Sequence, residues 1–572
     1  MKWMGTPPPA RLRISYFGDQ DRLPTLYKFG SSESLGLTSQ WINQCLTDHH
    51  VCPKPDPSFL PSRLIKVNEG ANIQLVSTSN MLNDDEKSTR YTTLSYCWGH
   101  DPNPHGLTKR SNLNERSKSI DNLPQTIQDA IIITKGLGIT YLWVDALCII
   151  QDDAQDWQRE SALMAEIYSN SYCTIAASSA VGNDDGFIER PLVWKDACRL
   201  EWEPSNVQNQ KSVVVYPPET TPKAINKVLI NCPLSKRGWV LQEMYLSPRV
   251  IHHTDNGLIW ICKQVHTSEQ QHKLGEQPID ATTLSRKLPG LIRPLFKPYD
   301  DWREYIEDYS RRSLTRITDR LPALAGLAVR LNRETGAMYL AGIWKNALMQ
   351  DLLWYRLPTD TPLVICSPYV APSWSWASKQ GILHWYYQRF FPVVPCSGDE
   401  TIDSITSASI SALRDNDHEE DHRGNFVNDV MGTFRLLNAE VKAKGENLFG
   451  EVKAGFLQIE GKFVAVHTIL RDDKERRFIV SSNNSRRFQY RLWESEENRQ
   501  IRGPAIGRWT PDCEMEDDGG IFVLNFLRIA PDGVGLVLRA VEKEANTFER
   551  VGLGKVDEDF AKKLDVHIVT II

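Results

Sequence analysis

No apolar stretch in these 572 residues approaches the length needed to cross a bilayer, so a helical membrane span is not expected. A basic excess is missing as well. The 66 Lys and Arg residues against 72 Asp and Glu leave a net charge of −6, which argues against a nucleic-acid partner. The eleven Cys residues are scattered, odd in number and without a CxxC pair. That pattern excludes a disulfide framework and fits reduced thiols, so a cytoplasmic location is expected. The opening residues MKWMGTPPPARLRISYFG lack the apolar core of a secretory signal. A P-loop, a GxSxG elbow and an internal repeat are all missing, which removes NTPase, α/β-hydrolase and solenoid readings.

What is present is ordinary for a folded chain long enough for two to four domains, with 41% hydrophobic residues. Seventeen Trp residues are many, and pairs such as Trp374 and Trp376 suggest loops held down by buried indoles. Cys45, His49, His50 and Cys52 fall within eight residues. Their spacing is not that of a standard finger and no second ligand pair follows nearby, so no metal is expected. The plain reading is a helix burying Trp41, Ile42 and Cys45 that ends near the two His residues.

Three blocks carry most of the information: Tyr91–Gly99, Tyr141–Gln151 and Arg237–Glu243. Each is an apolar run that ends in Trp, Ser, Asp, Gln or Glu, the place where an α/β fold forms its sites. Around them the periodicity predicts a strand over Arg90–Cys97 and a helix from Leu123 that Gly136 and Gly138 stop. A strand at Tyr141–Val144, a helix after the acidic turn Asp152–Asp156 and a strand at Tyr172–Ala177 follow. This β–α–β–α–β order is the mark of a parallel sheet covered by helices. Arg249–His253 and Leu258–Cys262 read as a strand pair about the Thr254–Gly257 turn. Asp300–Arg330 and Met338–Leu353 read as amphipathic helices, and short strands dominate from about Tyr386, with Asp415–Arg423 as a solvated loop. The expected division is therefore a leader segment (1–87), an α/β domain (88–265), a helical region (266–385) and a β-rich C-terminal region (386–572).

The blocks resemble the fungal heterokaryon-incompatibility (HET) domain family. Its opening is matched by Tyr91, Leu94, Ser95, Tyr96, Trp98 and Gly99, followed in order by Leu123–Ala130, Trp143–Asp152, Met164–Ile167–Tyr168 and Arg237–Glu243. The resemblance implies a role in non-self recognition and programmed cell death. It also implies as partners a second copy of the chain or another incompatibility protein. The family is similar in turn to Toll/interleukin-1 receptor (TIR) domains, which implies a flavodoxin-like parallel sheet. In enzymatic TIR domains a Glu in a Trp–Cys–x–x–Glu step cleaves NAD. That step resembles Trp239–Glu243 here, with Val240 at the Cys position.

By that likeness Glu243 is the candidate catalytic residue, and Ser95, Trp98, Asp145 and Trp239 are candidate substrate-binding residues. NAD would be a substrate, and no cofactor is expected. A carboxylate beside the ribose would stabilise an oxocarbenium-like transition state. Each residue also has a structural reading. In that reading Trp98 and Trp239 serve as core anchors, Asp145 as a cap on the loop Ala146–Gln151, and Gln242 and Glu243 as partners of Arg237. Glu160 and Glu166 are expected to face solvent. Two readings thus stand, an interaction module without chemistry and an NAD-consuming enzyme.

Overall fold

The computed structural model describes residues 13–16, 26–67, 72–79, 81, 89–99, 106–189, 198–202, 211–216, 222–273, 277–280, 298–357, 360–386, 434–445, 447–469, 490–492, 506–514, 521–530, 532–542 and 544–572. The expected loop Asp415–Arg423 lies outside them. Two compact units are present. One comprises residues 1–296, 312–315 and 322–327, and the other residues 297–311, 316–321 and 328–572.

In the first unit the chain order is β1 (Arg13–Tyr16), α1 (Ser32–Thr47), β2 (Arg63–Val67), β3 (Ile73–Ser77), β4 (Tyr91–Ser95), α2 (Leu113–Arg116), α3 (Gln125–Gly136), β5 (Tyr141–Trp143), α4 (Asp145–Cys148), α5 (Ala154–Ser169) and β6 (Cys173–Ala176). It continues with β7 (Cys198–Trp202), β8 (Lys211–Tyr216), α6 (Pro222–Asn231), α7 (Gly238–Leu246), β9 (Arg249–Thr254), β10 (Gly257–Cys262), β11 (Val265–Ser268), α8 (Glu269–Lys273) and β12 (Ile279–Asp280). Nine strands form one sheet in the order β12-β11-β10-β9-β6-β4-β5-β2-β3, and β1, β8 and β7 form a small sheet.

The four middle strands, β5, β4, β6 and β9, run parallel. Antiparallel neighbours flank them, β2 beside β5 and β10 beside β9. The sequence-predicted β–α–β–α–β run is β4-α3-β5-α5-β6. From β4 the chain goes to β5 on one side and then to β6 on the other, so the connections diverge at the carboxyl ends of β4 and its neighbours. Such a divergence opens the sheet edge where α/β sites form.

Local chemistry explains the elements. Every residue of β4 is buried, as a strand covered on both faces requires. The Asp153 side chain caps α5 by accepting from the backbone N–H groups of Gln155 and Asp156. Gly138, at φ +70°, ends the turn after α3. Asp129 of the Leu123–Ala130 block turns inward and accepts from the N–H groups of Phe187 (2.6 Å) and Ile188 (2.9 Å), fastening the loop after β6 to α3. Buried hydroxyls also pair, Thr93 with Thr174 between β4 and β6 (2.7 Å), Thr92 with Thr134 on α3 (2.8 Å) and Thr174 with Ser247 at the end of α7 (2.6 Å).

One expectation reverses on α5. Glu160, read as solvent-facing, is 2% exposed. Arg63 on β2 draws it in, with its guanidinium 2.5 Å from Asp156 and 3.6 Å from Glu160. Burial pushes the Asp156 carboxyl up, but hydrogen bonds from Arg63 and the Ile150 N–H outweigh it and hold the group below its usual range. Glu166 is half-buried.

The second unit begins with the helix Pro298–Tyr309. The helix expected over Met338–Leu353 is replaced by a hairpin, Tyr339–Leu340 with Ile343–Trp344, and the single helical turn Leu348–Asp351. Gly342 in that hairpin has φ +100°, and its carbonyl accepts the indole N–H groups of both Trp302 (2.9 Å) and Trp376 (2.8 Å). Trp374 and Trp376 are fully buried, as their clustering predicts. An eight-stranded β-sheet follows, in which Val566–Ile571 pairs with both Val452–Ile469 and Thr547–Val556. Its core includes Val466, Trp509, Leu524, Phe526 and Val537. The chain is thus α/β in its N-terminal half with a β-rich C-terminal region. Among the described residues no helix is long and apolar enough to cross a membrane.

Candidate functional site at the sheet edge

Ser95 is the last residue of β4 and Asp145 lies two residues beyond β5, so both stand at the carboxyl edge of the parallel strands. Glu243 comes from α7, a helix apolar almost all round and therefore buried almost all round. The N-terminus of α7 is fixed by the backbone. Gly238 N–H donates to the Ser313 carbonyl (2.8 Å), and Ser313 N–H donates to Lys236 (2.6 Å). Gln242 does not pair with Arg237. Its side-chain oxygen accepts from Gly326 N–H at 2.7 Å.

The structure brings the predicted residues together in two pairs. The Ser95 hydroxyl donates to the Glu243 carboxyl at 2.5 Å. The Trp98 indole donates to Asp145 at 3.0 Å. Asp145 also accepts from Ala146 N–H at 2.7 Å, the local capping bond expected of it. Trp239 packs edge-to-face on Trp157, with ring centroids 6.3 Å apart. Ser95 and Glu243 are buried, whereas Trp98, Asp145 and Trp239 are half-buried.

Three further residues complete the network; sequence reasoning gave Tyr96 and Tyr168 no role in the candidate site and read Arg237 only as a structural partner of Gln242 and Glu243. Arg237 donates to the Tyr96 carbonyl. Tyr168 donates to the Leu94 carbonyl at 3.3 Å and also hydrogen-bonds Glu243. Buried Tyr96 lies in the combined field of Asp145, Arg237 and Glu243. The available signal was their membership of the motif blocks, since Tyr96, Tyr168 and Arg237 sit in three different ones.

Burial pushes the Glu243 carboxyl up to about 7. Arg237 and the Ser95 hydrogen bond oppose the rise, while Asp145 reinforces it. Desolvation raises Asp145 too, against Arg237, the Ala146 N–H and Trp98. Two carboxyls thus share one guanidinium, and Glu243 is poised to hold or release a proton near neutrality. Two cavities lie elsewhere. One of about 980 Å3 is in the second unit, beside Glu440, Lys442 and Arg550. The other, about 370 Å3, is lined by Arg90, Tyr91 and Tyr172 at the opposite end of β4 from Ser95.

Fold and edge together define an α/β domain whose motif residues, drawn from separate blocks, meet at one strand edge. Residues 91–243 match the family model described as Heterokaryon incompatibility protein (HET). The chain carries a HET domain over that span, which runs from the first residue of β4 to Glu243 itself. No curated protein and no solved structure matches the chain.

Proposed function

We propose that the chain acts in fungal non-self recognition, in the cytoplasm, with its HET domain as the effector of a programmed cell-death response through self-association or binding to another incompatibility protein. The family match over residues 91–243 carries this reading. The engagement of the motif residues in packing supports it. Ser95, Glu243, Trp98 and Asp145 bond to one another, as expected of residues that set the shape of a surface. Killing of a fungal host on expression of the full chain, with cellular NAD unchanged until viability falls, is the expected result. Survival at high expression would overturn the reading.

A second reading, TIR-like cleavage of NAD by Glu243, has one observation in its favour. A carboxyl with its pKa near neutrality stands beside Ser95 at the strand edge. Ionised, Glu243 would stabilise the ribosyl cation as nicotinamide leaves. Nicotinamide release by the purified full chain, abolished in Glu243→Ala, would favour this reading over the first.

A further inference from the structure

Four potential metal ligands from distant parts of the first unit converge at one point. Cys45 lies in the last turn of α1, His49 and Cys52 follow that helix, and Cys262 ends β10. Their ligand atoms, three Sγ and one imidazole nitrogen, all lie within 4.8 Å of one another. His49 Nδ1 is 3.3 Å from Cys262 Sγ and 3.7 Å from Cys52 Sγ. A tetrahedral zinc ion, with bonds of roughly 2.3 Å to sulfur and 2.0–2.1 Å to nitrogen, sets its ligand atoms about 3.5–3.8 Å apart. The cluster needs only small side-chain adjustments to meet that geometry. The three Cys residues are buried, at 1%, 6% and 3% exposure for Cys45, Cys52 and Cys262. His50, the other imidazole in the motif, is exposed and takes no part.

The surroundings fit a thiolate centre. The Val265 N–H donates to Cys262 Sγ at 3.2 Å, and the Gln264 N–H reaches Cys52. Backbone N–H groups aimed at sulfur are the outer-shell support that thiolate ligands use. Charge supplies an independent argument. Arg249 is fully buried, and its guanidinium directs its hydrogen bonds to three backbone carbonyls, those of Tyr172 (2.6 Å), Pro53 (3.0 Å) and Ser171 (3.3 Å). It lies within electrostatic reach of Cys45. A buried cation calls for a buried counter-charge. Three thiolates and one Zn2+ carry a net charge of minus one, which would balance it.

We propose that Cys45, His49, Cys52 and Cys262 form a structural zinc site. With all four positions taken by protein, no coordination place is left for substrate, so the ion ties rather than catalyses. It fastens the end of α1 to the turn between β10 and β11, where Trp41 of α1 already packs on Trp260 of β10 with ring centroids 6.2 Å apart. As each Zn–S bond forms, the thiol proton leaves to solvent, and His49 binds through Nδ1 as neutral imidazole. The fourth ligand lies 213 residues beyond His49, which is why a search for a ligand pair nearby along the chain does not find it.

The test is metal analysis of the full chain purified without chelator, by mass spectrometry of the metal and of the intact protein. One zinc per chain is expected, lost in Cys52→Ser and Cys262→Ser and retained in Cys513→Ser, a thiol in the second unit. Because the site variants can unfold, exchange with cobalt in the native chain gives a second readout. Intense tetrahedral visible bands with sulfur-to-cobalt charge transfer are expected, and they should shift without loss in His49→Cys. A native chain free of zinc whose mass shows a disulfide would overturn the proposal. So would bound cobalt lacking the charge-transfer bands.

Discussion

Replacing Glu243 by Gln should stabilise the first unit at alkaline pH and leave it nearly unchanged in acid. The carboxyl rises from its usual value near 4.5 to about 7 because folding strips it of water. Between those values the folded state binds the proton that the unfolded state has released, so stability falls as pH rises through the interval. At roughly 1.4 kcal/mol per pH unit, the full interval amounts to about 3 kcal/mol, an upper figure for the cost of the ionised form above pH 7. Glutamine keeps the shape, accepts from the Ser95 hydroxyl and stays neutral at every pH. For a domain of this size about 3 kcal/mol corresponds to roughly 6–12 °C in Tm. Thermal unfolding of both proteins at half-unit steps from pH 4.5 to 8.5, followed by intrinsic Trp fluorescence, reads this directly. The two curves should nearly coincide near pH 4.5, diverge steadily up to about pH 7 and keep a constant gap above it, with the variant higher. Parallel curves, or a variant less stable at pH 8, would refute the claim that burial controls this carboxyl.

Asp145→Asn removes the neighbouring charge that helps raise Glu243, so the pH at which the fall in stability levels off should move lower in the same experiment. Arg63→Met takes the ion-pair partner from buried Glu160 and leaves buried Asp156 only the exposed Arg159 at 3.1 Å, and should cost about 3 kcal/mol, seen as an earlier urea midpoint. Gly326→Ala would set a methyl 2.5 Å from the Ala165 Cβ and 2.9 Å from the Gln242 side-chain oxygen. Overpacking there should cost about 1–3 kcal/mol, read as a lowered Tm of the first unit. In the second unit Arg550 bonds Asp512 at 3.0 Å and the Leu352 carbonyl at 2.6 Å, and stacks on Trp354 at 3.3 Å. Arg550→Lys cannot reproduce that fork and stack, so faster limited proteolysis of the C-terminal region is expected.

The parallel core was legible because its signals are local. Alternation in Tyr91–Ser95, helical spacing from Leu123 and the Asp153 cap each act within a few residues. The pairing of strand ends was legible in part. Polar residues closing apolar runs marked Ser95 and Asp145, but nothing in the string said that Ser95 would meet Glu243 while Trp239 turned to Trp157. Glu160 was misread because a charged residue on a helix ordinarily faces water, and its partner Arg63 belongs to a strand far earlier in the chain. The Met338–Leu353 hairpin was missed because its cause is tertiary. Two indoles converge on the Gly342 carbonyl, and helical periodicity carries no trace of them.

The paired hydroxyls inside the parallel sheet act as a registration code. Apolar side chains tolerate a neighbour of roughly the right size, so a strand of valines would slide against its partners at modest cost. Thr92 and Thr93 have no such freedom, because each hydroxyl finds its mate only when β4 sits opposite α3 and β6 as it does here. A slip of β4 by one residue would take these partners from the buried Thr92 and Thr93 hydroxyls, at about 1–3 kcal/mol apiece, while Thr174 would keep Ser247 and Thr134 the Ala130 carbonyl. The same alignment sets Ser95 at the height where Glu243 reaches it, so the positions of the edge residues are decided deep within the sheet.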